Sequence, residues 1–257
     1  AIGYQAGKGI TAGDSNVIIG HLSHGKATGD GRGDDNVYIG ARSGYRATDA
    51  DSNVGIGRDS LYTITTGEKN VAIGHSAGMT LGTQDEMAFI GYQAGRLVDN
   101  DNSDGMVAIG YQAGYVATQN QQYSTFVGKQ SGHNVTDAGY NTYLGYYTGS
   151  SLAHSDAEKN TFIGASAGSS GSYTTADNTA NNSVGIGWKA LGGQAGSGSA
   201  YNFTAAYNIA VGNEAGSSIT SGAENVLLGH QAGASLNTQT RNIMIGYQTG
   251  FNIQGSA

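Results

Sequence analysis

The chain has 257 residues, of which 44 are glycine and none is proline or cysteine, and its formal net charge is −7. The absence of cysteine excludes disulfide bonds, cysteine metal ligands and a cysteine nucleophile. The acidic charge, without any run of Lys and Arg, argues against a nucleic-acid partner, and no apolar run is long enough to insert into a membrane.

A short repeat runs along the whole chain. The stretch NVAIGHSAG, which begins at Asn70, has close copies that begin at Asn53 and Asn225. A glycine that follows Ile, Val or Leu marks each of fourteen units. Seven of the thirteen spacings between these glycines equal seventeen, as from Gly57 to Gly74, and none is shorter, so seventeen is the length of the basal unit. The marker glycines are Gly3, Gly20, Gly40, Gly57, Gly74, Gly91, Gly110, Gly128, Gly145, Gly164, Gly187, Gly212, Gly229 and Gly246.

Each unit predicts one short strand. Its apolar residues alternate with period two between glycines, and the basal unit is too short for a helical hairpin. The predicted fold is therefore all-β: a parallel β-solenoid of about 14 coils, one coil per unit, with strands stacked at ~4.8 Å. We expect residues 1–257 to form a single repeat domain. Both ends fall partway through a unit, so we expect a fragment of a longer chain.

Each position of the repeat has an expected structural role. We expect the Val and Ile positions to fill the interior, and the marker glycine to have a positive φ or a crowded corner. The small residue suits a narrow corner, and the opening Asn suits a ladder of stacked amides. In one copy these structural positions are Asn70, Val71, Ile73, Gly74, Ala77 and Gly78.

The residue between Val and Ile should point to the opposite face and be polar if that face meets water. It is apolar in nearly every unit, which would leave a lone solenoid with an adhesive stripe. We therefore expect identical subunits to cover it in a homo-oligomer. The predicted interface residues are Ala72, Phe89, Ala108, Phe126, Tyr143, Phe162, Leu227 and Met244.

Catalytic signatures are weak along the chain. His21, His75 and His230 share one repeat position with several tyrosines and Trp188, which favours a surface ladder of rings over catalysis. No Ser/His/Asp set or pair of acids emerges. The chain is therefore predicted not to be an enzyme.

Two loops allow sharper hypotheses. Asn100, Asn102 and Asp104 alternate before a glycine, like the start of a calcium loop, but Tyr111 stands where the distal bidentate Glu belongs. A solvated turn without a cofactor is the favoured interpretation, and bound Ca²⁺ is the alternative. Residues 32–34 spell Arg-Gly-Asp, for which a chance turn is favoured over integrin-type binding.

The two longest insertions, residues 169–182 and 192–207, are the best candidates for recognition. They follow one another and concentrate aromatic side chains among Asn, Ser and Gly, which suits binding to carbohydrate or to a protein surface. The alternative is that these rings pack the loops onto the solenoid or onto a neighbouring subunit. The predicted ligand-binding residues are Tyr173, Trp188, Tyr201, Phe203 and Tyr207.

The N-V-x-I-G pattern, carried here by Asn70, Val71, Ile73 and Gly74, resembles the head repeats of YadA-type trimeric autotransporter adhesins. Similar repeats occur in phage tail fibres and other extracellular fibre proteins. The resemblance implies a left-handed β-roll, three chains about a common axis, and a place outside the cell, on a cell surface or on a virion. The unit is longer than the usual head repeat and no stalk or anchor is present, so bacterial and phage origins both stay open.

The leading functional hypothesis is an adhesin or fibre segment that presents loops to a glycan or protein receptor during host recognition or cell adhesion. A self-assembling extracellular filament, built by end-to-end stacking of chains, is the alternative. An ice-binding solenoid is a minor alternative, because one repeat position holds Thr in seven of fourteen units. Those residues are Thr11, Thr28, Thr48, Thr65, Thr118, Thr136 and Thr220.

Overall fold

The computed structural model describes residues 1–25, 31–98, 103–117, 121–136, 139–150, 152, 157–169, 179–192 and 204–251. Its chain divides into two compact units, Ala1–Tyr123 and Ser124–Ala257. The regular structure of the described residues is β-strand throughout. Within those ranges no helix has the length and apolar character needed to cross a membrane.

In the first unit, six strands of three residues pair in parallel, each with the next along the chain. They are β1 (Val17–Ile19), β2 (Val37–Ile39), β3 (Val54–Ile56), β4 (Val71–Ile73), β5 (Ala88–Ile90) and β7 (Val107–Ile109). A second, smaller sheet pairs β6 (Leu97–Val98) with β8 (Val116–Ala117). Each three-residue strand belongs to one copy of the repeat.

The second unit repeats this arrangement with seven parallel strands, again paired in chain order. They are β9 (Thr125–Val127), β10 (Thr142–Leu144), β11 (Thr161–Ile163), β12 (Val184–Ile186), β13 (Ile209–Val211), β14 (Val226–Leu228) and β15 (Ile243–Ile245). Equivalent repeat positions lie side by side in the register, as Ala210 does with Leu227. The prediction of an all-β parallel β-solenoid with a basal spacing of seventeen is confirmed.

The interior is lined by the middle residue of each strand, so the prediction of which strand face points inwards was wrong. Phe89 is fully buried, whereas Ile90, its neighbour in β5, is 38% exposed. Ala72 and Ile73 in β4 show the same contrast. The residues predicted to form an oligomer interface are therefore core residues of the single chain: Ala72, Phe89, Ala108, Phe126, Tyr143, Phe162, Leu227 and Met244.

The asparagine at the start of the repeat explains this orientation. Asn70 is buried, its backbone N–H donates to Asn53 Oδ1 at 2.9 Å, and its own Oδ1 accepts from the N–H of Met87 at 3.0 Å. Its Nδ2 donates to the Gln84 carbonyl at 2.8 Å. The predicted amide ladder is confirmed. Because strand side chains alternate, an inward Asn70 forces Ala72 inwards and the Val and Ile positions outwards.

The glycine corners are as expected. Gly74 has φ +140°, and a Cβ added there would lie 2.2 Å from the Gly91 carbonyl oxygen of the next coil. Ala77 is fully buried at the following corner. The glycine after this small residue leaves room for the ring of its own coil, since a Cβ on Gly95 would lie 2.6 Å from Phe89. A central aromatic ring therefore requires glycine at this second corner.

Where the middle residue of the strand is glycine, the second corner carries a large apolar residue instead. Gly55 and Gly185 are the two strand-centre glycines, and in those coils the second corner holds Leu61 and Leu191 instead of glycine. Both leucines are fully buried and take positive φ values of 49° and 50°. The isobutyl group thus fills the volume that a central ring occupies elsewhere, as close packing of the interior demands.

Candidate functional site

The Val and Ile positions form an outward apolar surface, which we call the valine–isoleucine face. No charged residue occurs at either position in any unit. In each of the two compact units of the fold, several residues at these positions are at least 36% exposed. They are Ile2, Val17, Ile19, Ile73, Ile90 and Ile109 in the first unit and Leu144, Ile186, Ile209, Val211, Ile243 and Ile245 in the second. Apolar exposure of this extent is typical of an interaction surface.

A ladder of exposed rings borders this face, at the position after the marker glycine. Tyr92 stacks between His75 and Tyr111, with ring centroids 5.4 Å apart on both sides. In the second unit His230 and Tyr247 repeat the 5.4 Å spacing with a tilt of 30°. The predicted surface ladder is confirmed. The rings cover one another's faces, so mainly their edges meet solvent and extend the apolar surface.

The predicted ligand-binding aromatics do not form one cluster among the described residues. Trp188 follows β12 and is 45% exposed, with Lys189 Nζ 4.6 Å above its ring. Tyr207 precedes β13 and is 60% exposed. Since β12 and β13 are parallel neighbours, Trp188 and Tyr207 flank opposite ends of the paired strands. Tyr173, Tyr201 and Phe203 lie outside the described residues.

The calcium hypothesis falls mostly outside the described ranges, which omit Asn100 and Asn102. Asp104 Oδ1 accepts the backbone N–H of Asp85 at 3.0 Å, so this carboxylate already serves the wall of the solenoid. Among the described residues, no group of three or more His, Cys, Asp or Glu side chains is placed to hold a metal ion.

The Arg-Gly-Asp tripeptide is part of the solenoid wall rather than a projecting tip. Asp34 Oδ1 accepts the N–H of Asp14 at 2.6 Å, and the Asp34 N–H donates to Asp51 Oδ1 at 2.7 Å. Gly33, the central residue of the tripeptide, is buried. This geometry supports the interpretation of a chance occurrence, because the Asp carboxylate is held by the neighbouring coil.

Threonine hydroxyls at the position considered for ice binding also serve the backbone. Thr48 Oγ1 donates to the Thr65 carbonyl at 2.8 Å, and Thr65 Oγ1 donates to the Gly82 carbonyl at 3.0 Å. Their protons are therefore used inside the chain. Thr28 and Thr118 lie outside the described residues.

Sequence reasoning missed a cluster of arginines in the first unit. Arg42 and Arg58 both contact the carboxylate of Asp59, while Arg42 and Arg46 both lie over the ring of Tyr62. These residues are spread over two repeats and form no basic run in the sequence. Only an alignment of the repeats could have indicated this contact, because Arg42 and Asp59 hold the same repeat position in neighbouring coils.

The buried His24 and the half-buried His133 were also not singled out. His24 replaces the second corner glycine, is fully buried, and has its Nε2 3.1 Å from the Ala47 carbonyl. Its ring meets Tyr38 edge-on at 5.7 Å. Desolvation by burial lowers the pKa of His24 and of His133. Burial raises the pKa of Tyr38, so both rings of the His24–Tyr38 pair favour their neutral forms.

No family model, no curated protein and no solved structure matches this chain. The likeness to YadA-type head repeats is therefore an interpretation of the sequence pattern alone.

Proposed function

We propose that this protein is a non-enzymatic fibre segment in which three copies pack about a common axis. In this proposal each chain contributes fourteen left-handed coils, and the assembly attaches to a cell surface through a glycan or protein receptor. The segment belongs outside the cell, in a bacterial adhesin or a phage tail fibre. The valine–isoleucine face is the observation that carries the proposal, and the resemblance to trimeric head repeats suggests the number of chains.

The valine–isoleucine face leaves apolar surface uncovered on the single chain. The exposed members of the face amount to on the order of several hundred Å² in each unit, a size that is usually functional on a soluble protein. A stable interface buries about 800 Å² per partner. A second copy of the chain carries the same apolar positions at the same strand spacing of ~4.8 Å. Identical chains can therefore match coil for coil, which favours a homo-oligomer over an unrelated partner.

The oligomer is tested by measuring mass in solution with light scattering. We expect three times the chain mass of 26.2 kDa. The double variant Ile90→Lys/Ile109→Lys should be monomeric with an unchanged β-sheet circular dichroism spectrum, because both side chains point outwards. Asp49→Lys, an exposed position away from the face, is the matched control and should keep the wild-type mass. A wild-type protein that is monomeric at every concentration contradicts the proposal.

The attachment function is tested separately on cells. Fluorescently labelled protein should bind a panel of bacterial and animal cell surfaces selectively. Deletions within residues 169–182 and 192–207 should abolish that binding while preserving the oligomer mass. Undiminished binding by the deletion variant would place the receptor contacts elsewhere on the chain.

A further inference from the structure

The arginine corner, defined by Arg42, Arg46, Arg58, Asp59 and Tyr62, is a preassembled set of cations in the first unit. Arg42 Nη2 donates a hydrogen bond to Asp59 Oδ2 at 2.8 Å, and Arg42 Nε lies at an ion-pair distance of 2.7 Å from Oδ1. Arg58 Nε lies 3.2 Å from Oδ2 of the same carboxylate. The Asp59 side chain is only 7% exposed. One buried carboxylate therefore fixes two guanidinium groups at the surface.

The ring of Tyr62 fixes the third cation. The guanidinium carbons of Arg42 and Arg46 lie 5.4 Å and 5.8 Å from the ring centroid. Tyr45 stacks on Tyr62 with centroids 5.1 Å apart and an angle of 13° between the planes. Stacking on an aromatic ring holds a guanidinium while leaving its N–H groups free to bind at the edge.

The charge of the corner is not neutralised within it. Three arginines and one aspartate leave a net charge of +2 (three minus one) on a chain whose total is −7. Within the described part of the chain, Arg46 has no carboxylate at ion-pair distance, and the Arg58 side chain is 62% exposed. Ordering three like charges costs free energy that a ligand of opposite charge would recover.

We propose that the arginine corner binds acidic polysaccharide through its carboxylate or sulfate groups. Planar guanidinium forks match these anions with paired hydrogen bonds, and the half-buried rings of Tyr45 and Tyr62 offer apolar contact to a sugar ring. The inference rests on the proposed attachment function, since it names the class of receptor. It also adds a binding site in the first unit, distant in sequence from the insertions.

A nucleic acid fits the corner less well. Tight binding to a phosphate backbone generally neutralises about six to ten phosphates, whereas this site offers three cations on two neighbouring coils. The rest of the surface is acidic and would repel a densely charged backbone. Uronate and sulfate groups are separated by sugar rings, so each can meet one guanidinium without bringing further charge onto the acidic surface.

The test measures binding of the whole chain to heparin, hyaluronate and neutral dextran at near-physiological salt. Heparin carries sulfate and carboxylate, and hyaluronate carries carboxylate alone, so their ratio identifies the preferred anion. We expect both acidic polymers to bind and dextran not to bind. Arg46→Ala/Arg58→Ala should weaken binding by at least about tenfold, the effect of losing charge-assisted hydrogen bonds. Arg241→Ala, an exposed arginine paired with Glu224 in the second unit, should bind like the wild type.

Three outcomes overturn the inference: equal binding by the double variant, equal loss in the Arg241→Ala control, or tighter binding to a single-stranded DNA of the same charge. The cell-binding assay distinguishes failure of the arginine corner from failure of the proposed attachment function. Wild-type protein that attaches to cells but ignores both acidic polymers refutes the arginine corner alone. Protein that binds the polymers through the corner but attaches to no cell refutes the attachment function alone.

Discussion

Phe89→Ala compared with Ile90→Ala is the most direct test of the orientation of the solenoid wall. The two residues are adjacent in β5, and both belong to the apolar pattern of the repeat. Phe89 is fully buried, whereas Ile90 is 38% exposed. Phe89→Ala should therefore leave a cavity in the core, whereas Ile90→Ala should only remove apolar surface from the outer face.

The expected magnitudes follow from the neighbours of the ring. Burial of a phenyl side chain removes roughly 150–250 Å² from water, which corresponds to about 4–6 kcal/mol at ~25 cal/mol per Å². The residues paired with Phe89 in the register are Ala72 and Ala108, and their methyl groups are too small to fill the cavity. We expect Phe89→Ala to cost about 4 kcal/mol of unfolding free energy, and Ile90→Ala less than about 1.5 kcal/mol.

Urea unfolding followed by circular dichroism gives both values. The measurement should be made at two protein concentrations, because a loss of oligomer makes the midpoint depend on concentration while a loss of core does not. We expect the Phe89→Ala midpoint to be low at both concentrations. A larger free-energy loss for Ile90→Ala than for Phe89→Ala under monomeric conditions would refute the assignment of the interior.

Three further variants test the amide ladder at Asn70, the glycine corner at Gly74 and the buried imidazole of His24. Asn70→Ala should cost about 2–3 kcal/mol in urea unfolding, because it leaves the N–H of Met87 and the carbonyl of Gln84 without their buried partner; an unchanged midpoint would rule out the amide ladder as a source of stability. Gly74→Ala should lose more than about 3 kcal/mol or all soluble protein, since its Cβ would lie 2.2 Å from a backbone carbonyl; a thermal melt like that of the wild type would contradict this geometry. Burial lowers the pKa of His24 from 6.5, so the unfolded chain binds the proton more readily. The stability present above pH 6.5 is therefore lost as the pH falls below that value towards the lowered pKa of the folded state. His24→Gly should flatten this decline in Tm between pH 7 and pH 5, and an identical slope in the variant would assign the decline to other groups.

The backbone constraints of the coil could be predicted because each one fixes a single residue type at one position of the repeat. Gly74 and its equivalents tolerate no side chain, and the sequence shows this directly as an invariant glycine. Asn70 recurs for a similar reason, since only a side chain with a donor and an acceptor can bond both to a carbonyl and to the next N–H. The strands, their spacing and the amide ladder therefore followed from the repeat.

The direction of the strand faces could not be predicted from the apolar alternation, because both faces of this strand are apolar. Two cues were nevertheless present. Asn70 and Ala72 are two residues apart and must share a face, and Gly55 with Leu61 showed an exchange of volume that only interior neighbours need. The arginine corner depends on contacts between coils, so Arg42, Arg58 and Asp59 could be brought together only once the register was known.

The exchange of volume between a strand centre and its second corner has an evolutionary consequence. Gly55→Phe alone would bring a ring against Leu61, and Leu61→Gly alone would open a cavity. The two changes together approach the arrangement of Phe89 with Gly95 once the Ser43 hydroxyl, which lies 2.7 Å from a Cβ built on Gly55, turns away. Each single step is expected to be less stable than either end state, which is reciprocal epistasis within one coil. Such a barrier favours the duplication and recombination of whole coils over stepwise drift. On that route, an intact strand and corner are inherited together, and variation is left to the insertions and the outer faces.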